Sequence, residues 1–197
     1  MTDKTPPCAC ACATHDPARR SVLTGALALA LAPLGAPALA QAPGRTQKPE
    51  PGDRLAYMMG DKKDQEIKPG DLLAGEAPTL AYPLDPATGK VLVSRVNLLT
   101  VVKLKAEDLK PASQKNAADG IVAFSAICTH YGCPITTLHP SQSQIVCNCH
   151  GSVFNAADRG VVTNGPATRR LAMLPLAIKD GALVVAGKFD GPLGPPT

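Results

Sequence analysis

The chain has 197 residues, which is enough for one domain with a hydrophobic core and some additional segments. Its formal net charge of +4 comes without a dense stripe of Lys or Arg, so it predicts neither nucleic-acid binding nor an anionic-lipid patch. Twenty prolines and seventeen glycines indicate a loop-rich chain of short elements, with more β than α structure.

Residues 1–40 have the organisation of a twin-arginine-type targeting signal. Arg19 and Arg20 precede an apolar run over residues 22–40, which ends in a small-x-small cleavage pattern at residues 38–40. A retained membrane anchor formed by the same run is the alternative. In either case we expect the rest of the chain in the periplasm or on the periplasmic face of the inner membrane.

The seven cysteines form two groups, and the first lies inside this leader. Cys8, Cys10 and Cys12 could bind a metal, but their position predicts a dispensable leader tail. The other four cysteines lie much later in the chain, together with two histidines.

Beyond the leader, the composition predicts a proline-rich linker at residues 41–54, a folded domain at residues 55–190 and an irregular tail at residues 191–197. Within the domain, runs rich in Val, Leu and Ile predict strands, and residues 106–109 form at most one helical turn before a polar loop at 111–119. The predicted strands cover residues 90–96, 98–104, 121–127, 144–147 and 160–163. A hairpin follows at residues 176–185, with Asp180-Gly181 as its type I′ turn. Many short strands with turn signals predict an antiparallel all-β domain.

Two short boxes carry the residues with metal-binding chemistry. The first is Cys-Thr-His-Tyr-Gly-Cys-Pro at residues 128–134, and the second is Cys-Asn-Cys-His-Gly-Ser at residues 147–152. Each box holds one cysteine and one histidine close enough to project from a tight loop, so two such loops could form a four-ligand site. The candidate ligands are Cys128, His130, Cys147 and His150. The spare cysteines, Cys133 and Cys149, could form a disulfide if the loops pack together.

These two boxes together resemble the Rieske iron–sulfur family. The wider similarity covers roughly residues 90–190 and implies a base sheet with a small cluster-binding part at about residues 126–168. It also implies a Rieske-type 2Fe-2S cluster as the cofactor. By the resemblance, Cys128 and Cys147 hold the inner iron, whereas His130 and His150 hold the outer iron near the surface.

The same resemblance assigns roles to several further residues. A disulfide between Cys133 and Cys149 is typical of the respiratory members and agrees with export to an oxidising compartment. In the family, a serine at the position of Ser152 donates a hydrogen bond to a bridging sulfide, which raises the reduction potential. Phe154 stands where high-potential, quinol-oxidising members usually have a tyrosine, so we expect a lower potential here. The proline loop that covers the cluster is assigned to Gly165, Pro166 and Ala167, with an ordinary turn as the alternative.

A structural zinc site is the other use of two cysteines and two histidines. Such a site would not need the spare cysteines or Ser152 in this arrangement. His139, between the boxes, is interpreted as a surface loop residue. Arg169 and Arg170 are interpreted as solvated surface charge, with orientation of an acidic partner as the alternative. The position of Tyr131, beside a candidate ligand, fits cluster shielding, a partner contact or simple packing.

We expect a one-electron carrier that serves as the electron-transfer subunit of an exported respiratory oxidoreductase, similar to the small subunit of arsenite oxidase. The similarity lies in residues 72–83 and 121–125, whereas the Gly-Ser pair after His150 departs from that subunit. The alternative is the quinol-oxidising subunit of a cytochrome bc complex, which the Gly-Ser pair and the proline loop favour. Phe154, Tyr131 and the proline-broken anchor argue against that alternative.

The expected partners are a larger redox subunit, a c-type cytochrome or quinol, and no nucleic acid. No nucleotide-binding or nucleophile motif is found in the sequence. Whether the chain is an enzyme by itself therefore stays open, because the substrate-level reaction would belong to a partner.

Overall fold

A computed structural model describes residues 47–139 and 141–196. The predicted targeting segment, with Cys8, Cys10 and Cys12, lies outside the described residues, as do residues 41–46 of the predicted linker. Within the described ranges, no helix has the length and apolar character that crossing a bilayer requires.

The domain is built from short strands that pair antiparallel. In chain order the strands are β1 (Arg54–Tyr57), β2 (Thr79–Leu84), β3 (Leu99–Lys103), β4 (Ile121–Ser125), β5 (Thr137–Leu138), β6 (Gln144–Cys147), β7 (Ser152–Asn155), β8 (Val161–Asn164), β9 (Met173–Leu174), β10 (Leu176–Lys179) and β11 (Ala182–Val185). One short helix, α1, spans Pro111–Gln114, and 3-10 turns lie at Pro69–Asp71, Arg95–Asn97 and Ala106–Asp108.

Three sheets arise from this pairing. A five-stranded base sheet has the order β1-β2-β3-β4-β9, a four-stranded sheet has the order β5-β6-β7-β8, and β10 and β11 form a separate hairpin. The four-stranded sheet carries the second cysteine box, because Cys147 ends β6 and Ser152 begins β7. The predicted antiparallel all-β class, with a base sheet and a small cluster-binding part, is confirmed.

Strand β4 lies between β3 and β9 in the base sheet, and all five of its residues are buried. Alternate side chains of a strand point to opposite faces of a sheet, so β4 contributes to two cores. Val122 and Phe124 belong to the core that also contains the thiols of Cys128 and Cys147. Ile121 and Ala123 belong to the core shared with β1 and the β10–β11 hairpin. A nearly continuous apolar run therefore suits this strand, and it leads directly into the first box.

Several predicted elements are confirmed within a residue or two. Strands β3, β4, β6 and β8 lie at predicted positions, and Ala106–Asp108 forms the single predicted turn. In the hairpin, Asp180 and Gly181 have φ values of 51° and 76°, the two positive values that a type I′ turn requires. The loop predicted at 111–119 is wrong at its start, because Pro111 occupies the first turn of α1, where its missing N–H costs nothing.

The strand predicted at residues 90–96 is also wrong. Only an isolated bridge between Leu84 and Val91 forms there, and the chain then turns at Arg95–Asn97. The turn is fixed by Asn97, whose buried amide donates to the carbonyls of Leu92 at 2.9 Å and Gln47 at 2.6 Å. The second of these bonds also holds residue 47 of the predicted linker on the domain.

A half-buried carboxylate near the C-terminus joins three segments. Asp190 accepts hydrogen bonds from Arg159 Nη2 at 2.6 Å, Arg170 Nη1 at 2.8 Å and the Met173 backbone N–H at 2.7 Å. Burial raises the pKa of Asp190, but the hydrogen bonds from Arg170 and Arg159 outweigh burial, and the pKa lies below its usual value. The interpretation of Arg170 as solvated surface charge is therefore wrong.

We expect Asp190→Asn to lower the free energy of unfolding at neutral pH by about 2 kcal/mol, because two arginines lose their charged partner. The lowered pKa means that the wild-type contribution is fully present above the ordinary aspartate pKa. It is lost as the pH falls through the lowered value. Urea unfolding at several pH values measures both effects.

The matched control is Asp119→Asn, which removes an exposed pair with Lys103. Its cost should be at most about 1 kcal/mol. Equal losses for the two variants at neutral pH would contradict the role assigned to Asp190.

Candidate metal centre

The first box is a closed loop that follows the buried strand β4. The N–H of Cys128 donates to the carbonyl of Cys133, and the N–H of Gly132 donates back to the carbonyl of Cys128, both at 2.9 Å. Ile127 and Pro134 pair as an isolated bridge below the loop. Because β4 is buried on both faces, it gives this loop a rigid base.

The second box is the connection between β6 and β7. Cys147 and Ser152 are paired across the two strands, and the N–H of Gly151 donates to the carbonyl of Cys147 at 3.0 Å. A cysteine and a histidine therefore share one tight turn, as they do in the first box. The amide of Asn148 also donates to the hydroxyl of Thr137 in β5 at 2.5 Å, which ties the turn to the neighbouring strand.

The two loops are joined covalently. Cys133 and Cys149 form a disulfide, with their Cα atoms 6.5 Å apart. The Sγ atoms of these two residues and of Cys147 all lie within 4.8 Å of one another, so the bridge lies against a candidate ligand. The disulfide implied by the family resemblance is thus present.

The four candidate ligands separate into an inner and an outer pair. Cys128 and Cys147 are free, buried thiols in one hydrophobic core, with relative exposures of 1% and 0%. The rings of His130 and His150 lie nearer the surface, with centroids 4.7 Å apart and planes at 88°. His150 is exposed, whereas His130 is half-buried. Two soft donors thus lie inside and two imidazoles outside.

The surroundings of these side chains fit a bound cation. Burial raises the pKa of the Cys128 thiol and neighbouring Cys147 raises it further, while bonds from the His130 backbone and the Ser152 side chain oppose the rise. Two adjacent buried thiols can ionise together only if a positive group neutralises them. Nδ1 of His130 is buried and has no hydrogen-bond partner among the described residues. Two thiols and two imidazoles are the donor set of a Rieske-type cluster.

Ser152 connects the site to the predicted proline loop. Its side chain is buried, lies beside Cys128 and accepts a hydrogen bond from the N–H of Ala167 at 3.1 Å. A Cβ on Gly165 would meet Cα of Ser152 at 2.5 Å and the carbonyl oxygen of Gly151 at 2.6 Å. The segment at residues 165–167 is therefore in close contact with the second box. Its assignment as a cover for the cluster stays a prediction.

The structure also shows the surroundings of Phe154, Tyr131 and His139. Phe154 is fully buried, in the same core as both free thiols. Tyr131 is 72% exposed, and its ring centroid is 4.2 Å from that of His130 and 5.6 Å from that of His150. His139 is bonded to Ser141 in a turn, which fits a surface loop residue.

Three hydrogen bonds, two made by the first box and one beside it, could not be found from motifs. The Thr129 hydroxyl donates to the Arg169 carbonyl at 2.6 Å, and Arg95 Nη2 donates to the Gly132 carbonyl at 2.9 Å. Arg169 Nη2 donates to the carbonyl of Gly194 at 2.5 Å, so the interpretation of Arg169 as solvated surface charge is wrong. Backbone carbonyls accept all three hydrogen bonds. Because every residue type has a backbone carbonyl, such acceptors cannot be recognised from the sequence.

Comparison with known proteins agrees with this site. The family model described as Rieske 2Fe-2S domain matches residues 93–175. The cytochrome bc1 complex Rieske iron–sulfur subunit of Streptomyces coelicolor is 30% identical over 191 residues, covering 89% of this chain and 52% of that protein. The subunit of the same name from Streptomyces lividans is 37% identical over 99 residues, covering 49% and 58%.

A third relative, from Haloferax mediterranei, is named as a putative respiratory nitrate reductase subunit Rieske. It is 38% identical over 77 residues, covering 39% of this chain and 34% of that protein. The chain thus spans about half the length of the Streptomyces relatives it matches.

The fold and the paired cysteine–histidine loops define an iron–sulfur protein with mixed sulfur and nitrogen ligation. The chain belongs to the Rieske family through residues 93–175, and its cofactor is a Rieske-type 2Fe-2S cluster. It is accordingly an electron-transfer protein.

We expect Gly165→Ala to lower the free energy of unfolding by more than about 1 kcal/mol, because the new Cβ would overlap backbone atoms at a φ of +87°. The displaced loop should also speed the loss of visible cluster absorbance in air. Thermal unfolding and a bleaching time course measure the two effects.

Gly181→Ala is the matched control, because Gly181 has a φ of +76° but no atom within 4 Å of the added Cβ. It isolates the cost of backbone strain. Equal bleaching rates and equal losses of stability in the two alanine variants would contradict a stabilising contact between residue 165 and the second box.

We expect Phe154→Tyr to raise the reduction potential by roughly 40 mV, if its hydroxyl gives a cysteine sulfur a bond worth about 1 kcal/mol. Protein-film voltammetry measures the potential. Phe189→Tyr adds a hydroxyl beside the other core and should leave the potential unchanged. A Phe154→Tyr potential equal to or below the wild-type value would refute the hydrogen-bond argument.

Proposed function

We propose that this chain is the quinol-oxidising iron–sulfur subunit of a cytochrome bc complex, with Cys128, His130, Cys147 and His150 as its cluster ligands. The observation that carries the proposal is the likeness to the Streptomyces cytochrome bc1 subunits, one of which extends over 89% of this chain. This likeness favours the bc alternative over the arsenite-oxidase-like interpretation of the sequence. The buried Ser152 and its bond to Ala167 add support, because the Gly-Ser pair and the proline loop point to the same subtype.

When bound, the cluster would accept and release one electron at a time. The residues of the chain would bury its sulfur-ligated side and present its imidazole-ligated side. Cys128 and Cys147 lie in the core, where they are shielded from water. His150 and Tyr131 are exposed at the same end of the domain, so a quinol-binding partner could bring quinol within hydrogen-bonding distance of the His150 imidazole. The disulfide would hold the two loops together through repeated cycles.

The proposed location is the periplasmic face of the membrane. It rests on the leader at residues 1–40, on the disulfide and on the names of the relatives. The proposed partners are a larger membrane redox subunit, a c-type cytochrome and quinol.

A second candidate is the electron-transfer subunit of a different exported respiratory oxidoreductase, as first expected from the sequence. It is supported by the similarity to the Haloferax mediterranei protein and by Phe154, which lacks the hydroxyl usual in quinol-oxidising members.

The deciding experiment measures quinol-dependent reduction of cytochrome c in membranes from cells that carry, lack or regain this chain. We expect the activity to disappear without the chain and to return with the wild-type protein. Re-expression of His150→Ala should restore neither the activity nor the electron-spin signal of the reduced cluster.

His139→Ala is the matched control, because His139 lies in a turn outside the proposed ligand set. It should restore both the activity and the signal. Full quinol-dependent activity in cells that lack the chain would overturn the bc assignment and favour the second candidate.

A further inference from the structure

The C-terminal segment, residues 191–196, contains no strand or helix but packs behind the first box. A Cβ on Gly194 would meet Cγ2 of Ile127 at 3.4 Å, and a Cβ on Gly132 would meet Cδ of Pro195 at 3.7 Å. Gly194 is buried, although four of the other five residues of this segment are prolines or glycines without hydrogen-bonding side chains. The segment must therefore be held in place by groups outside it.

Arg169 is such a group, and it contacts two other segments at once. Its Nη2 donates to the carbonyls of Leu193 at 3.3 Å and Gly194 at 2.5 Å. Its own carbonyl accepts the hydrogen bond from Thr129 at 2.6 Å. Arg169 also follows the proline loop by two residues. Arg169 thus links the C-terminal segment, the proline loop and the first box.

The bond to Thr129 lies near the start of the first box, between two proposed ligands. Thr129 is 1% exposed and stands between Cys128 and His130, the two proposed ligands of this loop. A displacement of the Arg169 backbone would therefore shift both proposed ligands, because the buried Thr129 side chain is hydrogen-bonded to the Arg169 carbonyl. Arg95 supports the far side of the loop through its bond to the Gly132 carbonyl, so the two arginines hold the loop at both ends.

We propose that Arg169 is a positioning residue through which the C-terminal segment fixes the loop of Cys128 and His130, and so sets the reduction potential of the cluster. The proposal rests on the proposed ligand set. Hydrogen bonds from a charged donor are stronger than neutral ones, and a guanidinium can serve two carbonyls from one nitrogen. A lysine keeps the charge but lacks the planar fork.

The test is a double-mutant cycle on the cluster-loaded protein. One arm is Arg169→Ala, the other is a chain ending at Asp190, and the last combines both. Hydrogen exchange is followed at the amides of Cys128 and Gly132, whose bonds close the first box. We expect each single change to speed exchange there by roughly tenfold or more, and the combination to add little, because both changes remove the same link.

Three further measurements distinguish positioning from general stability. Exchange along β4 should stay unchanged, the reduction potential should shift in both single variants, and Arg169→Lys should recover only part of the shift. Arg54→Ala is the matched control, because Arg54 pairs with Glu66 at 3.9 Å on the edge strand β1. It should change neither the exchange at the box nor the potential.

Additive effects, or equal loss of protection along β4, would overturn the proposal, as would an unchanged potential. If the shortened chain does not fold, Gly194→Ala replaces it in the cycle, because a side chain is strained at the φ of +67° that Gly194 adopts. The cycle does not use quinol oxidation, so a failed bc assignment leaves its result intact. Conversely, additive effects in the double-mutant cycle would overturn the role of Arg169 without changing the expected result of the quinol assay.

Discussion

The site depends on two thiols buried side by side between two packed loops. Cys128 and Cys147 come from different loops, and the second cysteine of each loop is used in the disulfide. The disulfide between Cys133 and Cys149 removes the freedom of the loops to separate. Burying the two sulfurs as thiolates is costly unless a cation neutralises them, so metal binding and folding are expected to be coupled in this domain.

The rest of the fold supports that arrangement in layers. Strand β4 is buried on both faces and leads into the first box, whereas β6 and β7 carry the second box on a separate sheet. The two histidines lie at the exposed end, with Tyr131 beside them. Electron transfer between proteins needs a cofactor that is near the surface on one side and shielded elsewhere. The division of the proposed ligands into inner thiols and outer imidazoles would satisfy both needs.

The sequence was most informative where residue type alone decides the chemistry or the turn. The two boxes contain the side chains that the cluster requires, and Asp180-Gly181 can form the positive-φ turn that few other pairs allow. Strands β1, β2, β5, β7 and β9 are not predicted from the sequence. Two of them, β5 and β9, have only two residues each, and β2 contains a proline, which weakens a strand prediction. The segment at 90–96 has the composition of a strand but is turned aside by the amide of Asn97. The roles of Arg95 and Arg169 were hidden, because both donate to backbone carbonyls, which every residue type carries.

The most direct test of the ligand set is pulsed electron-spin resonance on the anaerobically reduced protein, with and without nitrogen-15 in its histidines. We expect a rhombic signal coupled to two histidine nitrogens, one of which disappears in His150→Cys. A signal without histidine coupling, or a colourless protein that binds one zinc, would contradict the proposed ligand set.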